Sequence, residues 1–169
     1  MSRSTMSVVS VFVLVACGAP KEQHAATKPD ASAAAASAPT STTPASGPGA
    51  DAYQICSTCH QASGEGLPNA FPPLAGSEVV NGPVEPHIAI VLKGLTGPVT
   101  VKGQTFNGAM APWESLSDEQ IAAAINYERA SWGNSGKSVT AQDVAAVRAA
   151  VTSRATAWTA DDLKKAKLR

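Results

Sequence analysis

The spacing of apolar positions along this chain changes repeatedly, and each change marks an element. Val8 to Ala16 is a nearly continuous apolar run, too short to span a bilayer. From Gly18 to about Ala50 there is no large apolar residue, only Ala, Ser, Thr and Pro with scattered charges, so nothing there can offset ordering entropy. Pattern returns near Asp51, where Asp51-Ala52-Tyr53-Gln54-Ile55 predicts a short helix leading into Cys56. Ile88, Val91 and Leu92 stand at i, i+3, i+4 and predict a helix over Pro86–Gly94, with proline in its first turn and glycine as its stop. Val99 to Phe106 alternates, and Lys102-Gly103 is a turn candidate, so a small hairpin is expected there. Ser117-Asp118-Glu119-Gln120 reads as a capping box opening a helix to about Trp132, with Ile121, Ala124, Ile125 and Trp132 as its inner stripe. Thr140 opens another helix with Val144, Val147 and Val151 on one side, and Thr159 caps a last short one carrying Lys164, Lys165 and Lys167.

Composition adds one constraint. Aromatic residues make up 5% of the 169 positions, little for a domain that must fill its own core. Charge is balanced at 13 basic and 13 acidic residues, which points to neither nucleic acid nor an anionic surface. The balance hides an asymmetry. Between Asp51 and Gly136 eight acids face three bases, a net of −5, whereas from Lys137 onward seven bases face three acids, a net of +4. Such a dipole can orient an encounter with a charged partner, or simply mark a solvated basic tail.

Three cysteines each have a covalent task. Residues 1–17 read as a bacterial export signal, with Arg3 in the charged region ahead of the apolar run. That run ends in Leu14-Val15-Ala16-Cys17-Gly18, which resembles a lipobox. The resemblance implies cleavage before Cys17, acylation of that residue and a membrane anchor. Gly18 rather than Asp after the cysteine favours the outer membrane. The alternative is an ordinary signal peptide with a chance cysteine. Residues 18–50 then form a flexible tether, and His24 within it is a solvated linker histidine.

The other two cysteines belong to Cys56-Ser57-Thr58-Cys59-His60. Two thiols spaced C-x-x-C and followed at once by histidine form the attachment pattern for c-type haem. Each thiol adds across one vinyl group, and His60 lies under the porphyrin to ligate iron. Gly64 and Gly66 suit a tight loop at the haem edge. In Phe71-Pro72-Pro73-Leu74-Ala75-Gly76 a proline carbonyl sits in a stiff chain with no competing N–H. A ligating histidine needs such an acceptor for its other ring nitrogen, and Pro72 is the candidate, with Pro73 as its neighbour and a plain rigid turn as the alternative. Met1 and Met6 leave with the signal, so Met110, in Asn107-Gly108-Ala109-Met110-Ala111-Pro112, is the one methionine of the mature chain. A glycine-flanked loop followed by proline suits a soft thioether ligand better than core filler. His87 is the rival for the sixth position and stands behind Met110; it is expected near a helix start, where surface histidines are common.

These motifs, together with Tyr127-Glu128-Arg129-Ala130-Ser131-Trp132-Gly133-Asn134, resemble the class I cytochromes c of bacteria over about Asp51 to Asn134. The resemblance implies an all-α cytochrome c fold wrapped around one covalent haem c, with iron held by His60 and Met110 and electron transfer as the activity. Residues 51–169 would be the cytochrome c domain, with a core over 51–134 and a helical extension over 135–169 that packs across its back or forms a docking arm. No nucleophile, acid–base pair or second metal site is visible, so an electron carrier rather than an enzyme is expected, with no small-molecule substrate. Its donor and acceptor would be periplasmic or membrane redox proteins. Two alternatives remain: a haem subunit of a larger dehydrogenase, nitrite reductase or terminal oxidase complex, and a haem sensor or enzyme with a labile sixth ligand.

Overall fold

The computed structural model describes residues 47–168. The expected signal peptide, Cys17, His24 and nearly all of the expected tether lie outside the described residues. Helix α1 spans Pro48–His60. Proline at the first helical turn loses nothing, because its missing N–H would have no intrahelical partner there. The helix starts ahead of Asp51 and carries Cys56, Cys59 and His60 in its last turns. It crosses α4, Asp118–Ala130, at close range. A Cβ on Gly49 would lie 3.2 Å from Tyr127 Cβ and 3.3 Å from the Ala123 carbonyl, so only glycine permits this approach without a shift. At the same crossing Tyr53 packs against Tyr127 and Trp132, with ring centroids 5.1 Å away in each case.

Helix α4 begins with the expected capping box: the Gln120 amide N–H donates to Ser117 Oγ, and the Ser117 amide N–H donates to the Gln120 side chain. Ile121, Ala124 and Ile125 are buried. Trp132 is not part of that stripe. The helix ends at Ala130, and Trp132 turns out with φ 54°, which swings its ring onto the tyrosines.

Helix α2, Glu78–Asn81, is a single turn capped by Ser77. Helix α3, Val84–Lys93, is buried continuously from His87 to Leu92 rather than along one stripe. It has packed structure on more than one side, with α4 and α5, Ala141–Ala150, both in contact with it. That position buries His87 too, to 4% exposure, against the expectation of a surface histidine.

The all-α expectation needs correcting: the fold is mostly helical with one antiparallel hairpin. β1, Leu95–Val101, pairs with β2, Gln104–Met110, in a register that sets Val101 opposite Gln104 and Leu95 opposite Met110. Gly94, Gly97 and Pro98 stop helix formation, and Val99, Thr100, Val101 and Thr105 favour extended chain. Lys102 and Gly103 both have positive φ, 51° and 76°, as a tight two-residue hairpin turn requires. The hairpin is longer than the alternating stretch, and Met110 ends a strand instead of lying in a loop.

The main apolar cluster joins Ile88, Val91 and Leu92 of α3, Ile121 and Ile125 of α4, and Val139, Val144, Val147, Val151 and Trp158 of the C-terminal extension. The extension is therefore core rather than a free arm. Trp158 binds it to the hairpin: its N–H donates to the Gly94 carbonyl at 3.0 Å, and its own carbonyl accepts from Thr96 N–H at 2.7 Å. The indole N–H donates to the Ala89 carbonyl at 3.0 Å. A final short helix, α6, spans Ala160–Lys165. Trp158→Ala is expected to cost about 3–5 kcal/mol, the usual range for an aromatic-to-alanine cavity, measured as a lower denaturation midpoint of the haem-loaded protein.

Candidate functional site

The end of α1, the loop after it, α3 and the hairpin enclose one deep apolar cleft. Cys56, Cys59, His60, Pro72 and Met110 all line it. The sequence places these five residues across more than fifty positions, and the fold gathers them into one wall-to-wall site. Val80, Ile90, Val91, Val99 and Phe106 supply much of the apolar surface between them.

The loop after His60 is held by its own backbone. Gly66 N–H donates to the His60 carbonyl at 2.9 Å, Leu67 and Phe71 exchange two bonds at 2.9 Å, and Leu74 N–H donates to the Gly64 carbonyl at 2.7 Å. Gly66 has φ 66°, and a Cβ there would sit 2.6 Å from the Pro72 carbonyl oxygen. Glycine thus lets the chain fold back until the Pro72 carbonyl reaches His60 Nδ1 at 2.9 Å. A carbonyl only accepts, so the ring proton is on Nδ1, and Nε2 is left with a free lone pair. Asn134 ties the far end of this loop to α4. It accepts from Gly76 N–H at 2.8 Å and donates to the Leu74 and Glu128 carbonyls at 3.1 and 2.8 Å.

Met110 reaches the cleft from the hairpin. Gly94 lies directly against the Met110 carbonyl, and Trp113 N–H donates to the Val91 carbonyl at 2.9 Å, so the strand end is fixed to α3. His87 also lines the cleft, but its Nε2 faces Glu128 Oε2 at 2.8 Å. Neither Glu128 Oε2 nor His87 Nδ1 has an aligned hydrogen-bond partner, and neither does Arg129 Nη1. Arg129 is 2% exposed; its Nε and Nη2 donate to the Lys137 and Gly82 carbonyls at 2.6 Å.

Burial, and then the Glu128 carboxyl beside it, pushes the free Cys56 thiol up to about 12. The same two causes, in the same order, raise the Tyr53 phenol. Burial lowers the Arg129 guanidinium and Glu128 works against that shift. The buried Glu128 was not singled out from sequence. Its signal was present, since Glu128 stands seven residues after Ile121 on the inner face of α4.

This donor set suits haem. Two thiols stand on consecutive turns of a helix, an imidazole offers a free Nε2, a thioether lines the same cleft, and the walls between them are apolar. No cluster of histidine, cysteine and carboxylate suited to a bare metal ion occurs among the described residues.

Residues 46–132 match the cytochrome c family. The chain is 42% identical over 110 residues to cytochrome c-552 of Thermus thermophilus, covering 60% of this chain and 84% of that one. It is 40% identical over 109 residues to the cytochrome c subunit of a quinone alcohol dehydrogenase from Komagataeibacter europaeus, covering 62% of this chain and 23% of the subunit. A gluconate 2-dehydrogenase cytochrome c subunit from Pantoea cypripedii is 38% identical over 104 residues, covering 59% of this chain and 24% of that one. A family match from α1 through α4, a C-x-x-C-H motif opening into an apolar cleft, and a relative matched over most of its length agree: the chain belongs to the cytochrome c family, and is a monohaem electron carrier with covalently bound haem c.

Proposed function

We propose that the protein carries single electrons between redox proteins on a haem whose iron is held by His60 and Met110. The observation that supports this best is the shared cleft, with His60 Nδ1 turned onto the Pro72 carbonyl and Met110 lining the same space. The haem supplies the one-electron couple. The chain would supply the rest: Cys56 and Cys59 would tether the porphyrin, His60 and Met110 would hold the iron, and Pro72 would fix the imidazole and raise its basicity. The apolar walls keep water from the iron. With both ligands drawn from the chain, no place would remain for a substrate and little would need to rearrange on reduction.

The same reading covers the rest of the chain. Residues 1–17 act as the export signal, Cys17 takes the lipid, the segment from Gly18 up to the start of α1 spans the gap, and the domain from Pro48 onward works in the bacterial periplasm beside a membrane. No helix among the described residues is long and apolar enough to cross a membrane. The lipobox-like Leu14–Cys17 is what supports a lipid anchor at Cys17, with the outer membrane favoured by Gly18. A second arrangement, in which the protein serves as the haem subunit of a larger dehydrogenase, draws support from its likeness to dehydrogenase cytochrome subunits. Co-purification with such an enzyme would distinguish the subunit from a free carrier.

Met110→Ala is expected to retain covalent haem, bind carbon monoxide readily and show a lower midpoint potential, whereas the wild type stays low-spin and refuses carbon monoxide. An unchanged spectrum in Met110→Ala would remove Met110 from the axial position. Cys17→Ser is expected to move the protein from the membrane fraction to the soluble one and to abolish the mass of the acyl chains; equal partitioning of both forms would rule out the anchor.

A further inference from the structure

A buried acid and a buried base meet in the wall of the haem cleft, and electron carrying by the residues above does not use them. His87 comes from α3 and Glu128 from α4, with Nε2 and Oε2 2.8 Å apart and side chains 5% and 4% exposed. Both line the cleft, and Glu128 also lies beside the attachment residue Cys56. The other ring nitrogen, His87 Nδ1, has no partner inside the protein, and Glu128 Oε2 meets no donor besides the His87 ring. Sealing two titratable groups in an apolar wall is costly, and their contact with each other offsets part of that cost.

We infer that the His87–Glu128 pair is a proton site coupled to the haem, so that this carrier moves a proton with its electron. The inference rests on the haem occupying the cleft as proposed above. With one shared proton the pair is neutral; without it the pair carries one negative charge. As one electron from the donor protein reaches the haem, ferric iron becomes ferrous and the cleft loses one positive charge. The pair then takes up one proton from solvent, and releases it when the electron passes to the acceptor. Electrons and charge balance without any further reactant. Coulomb coupling in a water-excluded wall is far stronger than in solvent, which makes the two events interdependent. By linkage the effect is reciprocal: a proton held more tightly in the ferrous state means a potential that falls as pH rises.

Other titratable groups around the pair do not take its place. From α1, Tyr53 is held neutral by burial, and Cys56 becomes a thioether on attachment. Arg129, next to Glu128 on α4, is a fixed cation bound to the Gly82 and Lys137 carbonyls. On α2, Glu78 is turned to the Lys102 amide at the hairpin tip. On α3 itself, Lys93 pairs with Glu114, and Glu85 stands in the first turn. On α5, Asp143 accepts from Thr140 and Arg148 pairs with Asp118 on α4. Glu119 of α4 and its neighbour turn face solvent.

The test is a spectroelectrochemical titration of the holoprotein between about pH 5 and pH 9, the span over which imidazole–carboxylate pairs exchange protons. The wild type is expected to show a midpoint potential that falls with pH, approaching about 59 mV per tenfold change in proton activity where one proton accompanies one electron. The isosteric Glu128→Gln and the double variant His87→Leu/Glu128→Leu, which removes both polar partners together, are expected to flatten that slope. In weakly buffered solution an indicator dye should record proton uptake by the wild type on reduction. A flat wild-type profile, absent dye response, or a slope retained in both variants would overturn the inference; the last would assign the proton to the haem's own carboxylates. Absorption spectra taken in the same cell report the axial ligands separately. A low-spin protein without a slope loses only the proton site, and an open iron site loses the His60–Met110 assignment.

Discussion

An apolar cleft that the chain's own side chains leave unfilled is the constraint on which the rest of this structure depends. Four aromatic residues lie elsewhere, Tyr53, Tyr127 and Trp132 on the α1–α4 crossing and Trp158 in the rear core, while Phe71, Phe106 and Trp113 line the cleft walls. Between them the cleft is walled by valines, isoleucines, Phe106 and the glycine-containing hairpin. A rigid, flat, apolar group is what such a space accommodates, and covalent attachment at Cys56 and Cys59 makes its retention independent of the binding equilibrium. The haem then acts as core as well as cofactor.

Holding the two sides of that cleft apart is the work of a second, wholly protein core. Valines from the C-terminal extension fill the space behind α3 and α4, and Trp158 ties the base of the hairpin to α3 through backbone and indole hydrogen bonds. Met110 hangs from the strand this arrangement fixes, while His60 depends on the self-bonded loop that presents Pro72. The two sides are thus positioned by different parts of the chain. Asn134 bonds the end of the His60 loop to α4, and Arg129 bonds α4 to the Gly82 and Lys137 carbonyls, each from a buried side chain. Links from buried side chains such as Asn134 favour one arrangement of the loop, because another would leave that amide without its partners.

Glu128 and His87 depart from that economy. Asn134 satisfies four neighbours, whereas His87 and Glu128 meet each other across 2.8 Å and leave His87 Nδ1 without a partner, as Arg129 Nη1 is on the next residue of α4. A carrier built only for minimal rearrangement would place hydrocarbon there. Their location beside the attachment helix is what connects the inferred proton site to the haem.

How much of this was legible in the sequence divides along physical lines. Cys56, Cys59 and His60 are neighbours in the chain, so their shared chemistry is a matter of local spacing and could be read directly. Capping at Ser117, Thr140 and Thr159, and the turn at Lys102-Gly103, are equally local and also readable. The all-α expectation missed the extent of the hairpin because strand pairing from Leu95 to Met110 is rewarded only once both strands meet. Trp132 was misplaced on α4 because periodicity does not register the positive φ that turns it outward. His87 was expected at the surface because its surroundings come from α4, some forty residues away. Its meeting with Glu128 is the clearest case: each residue alone is unremarked in the sequence, and only the packing of two helices against one cleft brings an acid and a base into the same dry wall.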